Sequence, residues 1–167
     1  MGKNMNFIFI AGAEGSGTTL LLRILSAPTA CASLGGNYLK IPPTSGARHL
    51  VDEFRVGNAI SWDGRLSESE RSEGQRKWHA AWNKIVASDA FSGVQHFLFK
   101  RSFPFGVPHG QRSPVFRDIT KLVDTAHFVV IYRDPRASTY SALRRGFDQD
   151  LRQLANICSE QLTLCSQ

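Results

Sequence analysis

The apolar positions of this chain follow two rhythms. Short runs rich in aromatic and β-branched residues occur at Phe7-Ile8-Phe9-Ile10-Ala11, Ala30–Ser33, His96-Phe97-Leu98-Phe99-Lys100 and Phe128-Val129-Val130-Ile131-Tyr132. They predict strands over 6–11, 30–33, 96–100 and 128–132. Between them, apolar residues return at three- and four-residue steps, as helices require. Leu20-Leu21-Leu22-Arg23-Ile24-Leu25 predicts a helix over 17–26. Ser67-Glu68-Ser69-Glu70 reads as a capping box that opens a helix whose apolar face includes Trp78, Trp82, Ile85 and Val86. Asp118 is suited to cap a short helix carrying Ile119, Leu122 and Val123. Asp134-Pro135 suits the N-cap and first turn of another. The stretches 41–46 and 103–110 read as loops. This alternation predicts an α/β fold of the P-loop NTPase-like kind, with three layers: a central parallel sheet and helices on both faces.

At the end of the chain, Leu151, Leu154, Cys158, Leu162 and Cys165 form one apolar helical face with no glycine or proline stop. A single domain over 1–167 is expected, cut short at its C-terminus. The alternative is a naturally short domain whose last helix packs on the sheet or on a second protomer.

Composition narrows the classes. With 42% hydrophobic and 20% charged residues, the chain reads as soluble and globular. The first apolar run is too short for a signal-peptide core or a membrane span, so a cytoplasmic protein with no membrane partner is expected. A net charge of +6 suits a polyanionic ligand. The basic residues are dispersed, so no nucleic-acid partner is expected. Cys31, Cys158 and Cys165 form no Cys-x-x-Cys pair, and no metal site is expected.

The candidate chemistry begins where the first strand ends. Gly12-Ala13-Glu14-Gly15-Ser16-Gly17-Thr18-Thr19 lies between a strand and a helix, the context of a phosphate-binding loop. Unpaired N–H groups at the helix start and the helix dipole favour an anion there. Gly15, Ser16, Gly17, Thr18 and Thr19 are the candidate cradle. Thr18 stands where a nucleoside-triphosphate site would have lysine, so the loop is poorly equipped for Mg-ATP. The plain alternative is a glycine turn.

A second segment adds to this. Arg133 follows the 128–132 strand, and carboxyl ends of strands are where open α/β sheets bind ligands. Ser141 lies about two helical turns further on. Arg133 and Ser141 could hold a second phosphate.

Together the two segments resemble the PAPS-dependent sulfotransferases, nearer the bacterial and carbohydrate-type branches because of Arg133-Asp134-Pro135-Arg136-Ala137. The resemblance spans roughly residues 6–26 and 96–147. It implies that Ser16-Gly17-Thr18-Thr19 holds the 5′-phosphosulfate of PAPS. It also implies that Arg133 and Ser141 hold the 3′-phosphate. The implied reaction moves a sulfuryl group from PAPS to a hydroxyl or amine of an acceptor such as a carbohydrate, with no metal required. The acceptor would be a small molecule or glycan.

One departure matters. The family usually has a basic residue directly before Ser-Gly-Thr-Thr, and here that position is Gly15. A missing cation should cost rate, because charge develops on the departing phosphate. Lys100 is the expected replacement, with Arg101 second and Arg23 and Arg136 behind. A lysine introduced at position 15 is expected to restore part of the rate lost on removing Lys100. For the base that takes the acceptor proton, the candidates are His49, Asp52, Glu53 and His109, with Glu53 and His109 preferred. Ser102 stands near where some relatives have histidine. Trp62, Trp78 and Trp82 could form an acceptor platform, although helical spacing also puts Trp78 and Trp82 in a core. Two alternatives stay open: a P-loop kinase-like enzyme and a non-catalytic nucleotide-binding fragment.

Overall fold

The structure is a computed structural model that describes residues 5–13, 15–35, 38–61, 66–103, 120, 123, 125–146 and 152. Four strands are present among them: β1 (Asn6–Ala13), β2 (Cys31–Ser33), β3 (His96–Phe103) and β4 (Ala126–Ile131). The helices are α1 (Thr18–Leu25), α2 (Ala47–Ser61), α3 (Glu68–Ala87) and α4 (Pro135–Arg144), with a short 3₁₀ turn at Asp89–Phe91.

The sheet order is β2-β3-β1-β4, and every pairing is parallel. Parallel neighbours need crossover connections, which carry helices onto the sheet faces. This is the α/β architecture that the alternation of elements predicts. β1 is an inner strand. Its residues Phe7, Ile10 and Gly12 pair with Phe97, Lys100 and Ser102 of β3. On the other side, Phe7 and Gly12 pair with Ala126 and Ile131 of β4.

Side chains alternate across the sheet, and the two faces bury different residues. Phe7, Phe9, Phe97 and Phe99 face α2 and α3, against Phe54, Trp78, Trp82 and Ile85. Phe7 is fully buried, and its ring lies 5.1 Å from Trp82 and 6.2 Å from both Phe54 and Trp78. Ile10 and Leu98 face the opposite way and pack against Leu22 of α1. Trp78 and Trp82 are therefore core residues and provide no acceptor platform.

Local rules set the helix ends. Ser67 Oγ accepts from Glu70 N at 3.3 Å, and Glu70 Oε2 accepts from Ser67 N at 2.8 Å, which completes the capping box. The α2–α3 approach is set by Gly57. A Cβ built there would lie 2.6 Å from Trp78 N and 2.8 Å from Trp78 Cα.

All four strands differ from the sequence expectation at one end or both: β1 runs on to Ala13 and β2 begins at Cys31. β3 continues past Lys100 to Phe103. Its ladder with β1 bonds backbone to backbone, so polar side chains do not end it. β4 begins at Ala126 and stops before Tyr132. Phe7 N donates to Thr125 O at 3.1 Å and Thr125 Oγ1 donates to Met5 O at 2.7 Å, which starts the ladder ahead of the aromatic run.

The expected elements around Asp118, Ile119, Leu122 and the Leu151–Cys165 face lie outside the described residues, except for single positions. No helix among the described residues is long and apolar enough to cross a membrane.

Candidate functional site

The loop after β1 is shaped by its glycines. Gly15 has φ of 86° and Gly17 has φ of 102°, both in the left-handed region that glycine adopts without a Cβ clash. Gly12 permits close folding over the strand end. A Cβ there would meet Ser16 Oγ at 2.7 Å and Ile131 O at 3.0 Å. Gly17 is the N-cap of α1 and supplies no capping side chain. Ser16 is 7% exposed, and its hydroxyl has no hydrogen-bond partner among the described residues. Leaving a buried hydroxyl unpaired costs about 1–3 kcal/mol. A loop with this geometry, this orphaned donor and a helix start fits an anion.

Arg133 comes to this loop from β4. β1 and β4 are parallel neighbours, so the loop and Arg133 stand at the same edge of the sheet. Arg133 Nη1 donates to Gly15 O at 2.8 Å. The residues that follow form α4. Asp134 Oδ1 accepts from Arg136 N at 2.9 Å, which caps the helix start, and Pro135 opens it. The Arg136 guanidinium bonds back to Asp134, with Nη2 at 2.9 Å from Oδ2. That contact holds the Asp134 carboxyl below its ordinary range. Arg133, Tyr140, Ser141, Arg144 and Arg145 line an open cleft of about 490 Å³.

Lys100 reaches the loop from the other side. It pairs with Ile10 in the β1–β3 ladder. It therefore shares the α1-facing side of the sheet with Leu98, two residues earlier. Its Nζ donates to Thr19 Oγ1 at 3.0 Å.

The chain matches the sulfotransferase family over residues 7–165. It belongs to that family. No curated protein matches the chain.

The basic residues near the loop are thus drawn from separate elements. Arg23, ranked behind Lys100 as a cation, lies over the Tyr38 ring at 5.4 Å. Arg136 is held by Asp134. The side chains of Arg101 and Ser102 lie outside the described residues.

Three of the base candidates, His49, Asp52 and Glu53, sit on α2. Glu53 Oε2 accepts from Lys84 Nζ at 2.7 Å, and Glu53 Oε1 lies 3.0 Å from His49 Nε2. The Lys84 hydrogen bond, followed by the charges of Lys84 and His49, holds the Glu53 carboxyl below its usual range. That makes Glu53 a weaker base at neutral pH than a free glutamate. Asp52 pairs with Arg48 at 3.2 Å. His109 and Trp62 lie outside the described residues.

Three residues beside the loop and cleft escape the sequence reading. A Cβ at Gly15 would lie 2.9 Å from Ser138 O, 3.3 Å from Ser141 Cβ and 3.3 Å from Arg145 Nη2. The Ser138 hydroxyl is buried and has no hydrogen-bond partner among the described residues. Arg144 and Arg145 line the cleft. A helical signal for two of them exists: Ser138, Ser141 and Arg145 follow three- and four-residue steps and so share one side of α4 and its end. A lysine at position 15 does not fit this backbone. It would combine a left-handed φ with a contact against the Ser138 carbonyl. Such a lysine should therefore not restore rate, contrary to the sequence expectation.

Proposed function

We propose that this sulfotransferase uses PAPS as donor and transfers its sulfuryl group to a hydroxyl or amine of a small-molecule or glycan acceptor. The observation that carries this reading is the Arg133 hydrogen bond to Gly15 O at 2.8 Å. It joins the loop to the arginine after β4, which supports a shared site for two phosphates.

When bound, the donor supplies a sulfuryl group whose S–O bond to the phosphate breaks, electron pair leaving with the phosphate oxygen, as the acceptor oxygen or nitrogen bonds to sulfur. The loop residues Gly15, Ser16, Gly17, Thr18 and Thr19 hold the phosphosulfate end. Arg133 and Ser141 hold the 3′-phosphate. Lys100, already bonded to Thr19, offsets charge on the departing phosphate. Two residues are the candidates to take the acceptor proton. Glu53 must first leave Lys84 and His49, and His109 is the other. The net charge of +6 favours an acidic acceptor such as a glycan. The proposal includes a single domain acting in the cytoplasm.

Thermal unfolding with added nucleotide tests this reading. Adenosine 3′,5′-bisphosphate at about 100 times its Kd should stabilise the fold by roughly 2.7 kcal/mol, seen as a higher Tm. Mg-ATP at equal concentration should do much less. Stabilisation by Mg-ATP alone would favour a kinase-like enzyme instead.

A further inference from the structure

Helix α1 is short and thinly anchored. It has 8 residues, Thr18–Leu25. That is about 12 Å of helix, below the length at which a helix stands alone in water. Thr18 and Leu22 are its buried residues, and Leu21 and Leu25 are partly buried. Leu20 is 64% exposed and Ile24 59% exposed. Packing along its length therefore holds α1 weakly, and its ends matter more.

The last carbonyls of a helix have no partner within it. Here the carbonyls at the end of α1 converge on one ammonium. Lys40 Nζ donates to Ser26 O at 2.5 Å, to Ala27 O at 3.0 Å and to Pro28 O at 2.7 Å. Three acceptors match the three donors of a lysine. The charge also stands at the negative end of the helix dipole. Lys40 is itself fixed to the sheet. Ser33 N donates to Lys40 O at 2.8 Å and Lys40 N donates to Ser33 O at 3.3 Å. Ser33 belongs to β2, which pairs with β3. The Arg23 guanidinium over the Tyr38 ring, at 5.4 Å, is a looser tie between the same two segments.

The opposite end of α1 carries the loop. Gly17 is its N-cap, and Thr18 and Thr19 are its first residues. Leu22, fully buried in mid-helix, is the pivot between the two ends. A tilt about Leu22 that displaces Ser26 displaces Thr18 as well.

We propose that Lys40 is a positioning residue for the donor loop. By gripping the end of α1 from the edge of the sheet, it sets where the amides and hydroxyls of Ser16, Gly17, Thr18 and Thr19 stand. Its ammonium bonds to the carbonyls of residues 26–28, at the far end of α1 from the loop, so its effect on binding passes through the helix. For the ligand, the inference rests on the donor reading above.

Lys40→Met keeps the apolar stem and removes the ammonium. The test is made at a temperature where circular dichroism shows the variant fully folded. Calorimetry with adenosine 5′-phosphate and adenosine 3′,5′-bisphosphate should show both affinities falling by a similar factor, about 10- to 100-fold, as a remote displacement of about 1 Å does. Hydrogen exchange should quicken at the amides of residues 15–19, while the β1–β3 ladder keeps its native protection. Lys40→Arg should recover part of both losses. Native affinities and native loop exchange, with only a lower Tm, would overturn the proposal and leave Lys40 a stabilising residue. Loss confined to the bisphosphate would also overturn it, because both ligands meet the loop through the 5′-phosphate. If the native protein binds neither nucleotide, the donor reading falls, and loop exchange alone decides the role of Lys40. If Lys40→Met does not fold, Lys40→Gln, which keeps two donors, carries both measurements with the same deciding outcomes.

Discussion

Arg133 Nη1 and the Gly15 carbonyl oxygen are 2.8 Å apart, although 118 positions separate them in the chain. The parallel pairing of β1 with β4 makes this possible, because it sets the ends of both strands at one edge. The contact joins a glycine loop that has no basic residue to an arginine that does not belong to it. The site's charge is therefore a tertiary property, and each contributor can be removed separately.

Lys100 is the first to remove. Its ammonium bonds to Thr19 Oγ1 at 3.0 Å, beside the loop. Lys100→Ala should lower turnover by about 10²- to 10³-fold, as loss of one charge-stabilising donor does. The bisphosphate should still bind. Steady-state kinetics with any active acceptor checks this, and unchanged turnover would remove Lys100 from the chemistry.

Gly15→Lys should fail to restore the rate of the Lys100→Ala variant. A side chain at φ of 86° costs about 1–2 kcal/mol from backbone strain alone. The contact with Ser138 O adds to that. A lower Tm with no gain in turnover is expected. Recovery of rate at native stability would show that the loop can open enough to carry a side chain.

Much of this arrangement is legible in the sequence, and the reason is local. A strand, a glycine turn and a helix are neighbours in the chain, so Phe7–Ala11 and Leu20–Leu25 point to the loop without tertiary information. Arg133 is legible because it follows a strand end, and ligands gather there in parallel sheets. What is not legible depends on approach in space. Arg145 stands beside Gly15 only because α4 packs its Ser138 carbonyl on the loop. Glu53 looks available in sequence, yet Lys84, 31 positions later, holds it across the α2–α3 interface. β3 runs past Lys100 to Phe103, since a polar side chain says little about a backbone ladder.

Gly57 tests the packing that supports the sheet. Alanine there would drive Cβ to within 2.6 Å of Trp78 N and 2.8 Å of Trp78 Cα, both rigid backbone atoms. Helix propensity alone would favour alanine by about 1 kcal/mol. Overpacking should win, at about 1–3 kcal/mol of lost stability. Denaturant unfolding decides the sign, and a stabilised Gly57→Ala would mean that the two helices separate more readily than their contact suggests.

The Glu53 pair gives a pH dependence. Its carboxyl is held below the usual range, chiefly by the Lys84 hydrogen bond. A carboxyl with a lowered folded-state pKa stabilises at pH above its unfolded value and loses that stabilisation as pH falls through the folded value. The loss therefore falls at acid pH, below the ordinary carboxylate range. Glu53→Gln should flatten this acid limb and cost less than about 1 kcal/mol near neutrality, because the pair is partly solvated. Tm followed from about pH 7 to pH 3 in both proteins checks it. An identical acid limb in the variant would show that the pair contributes nothing. A large fall in the variant's turnover would separately favour Glu53 as the base.

The central claim is that the loop and Arg133 form one two-phosphate donor site. Calorimetry of Arg133→Ala with two ligands tests it most directly. Only adenosine 3′,5′-bisphosphate carries the 3′-phosphate, and a charge-assisted hydrogen bond is worth about 1.5–3 kcal/mol. The account predicts that its affinity falls by roughly 10- to 150-fold. Affinity for adenosine 5′-phosphate should fall far less. Equal losses for both ligands, or none for either, would contradict the claim.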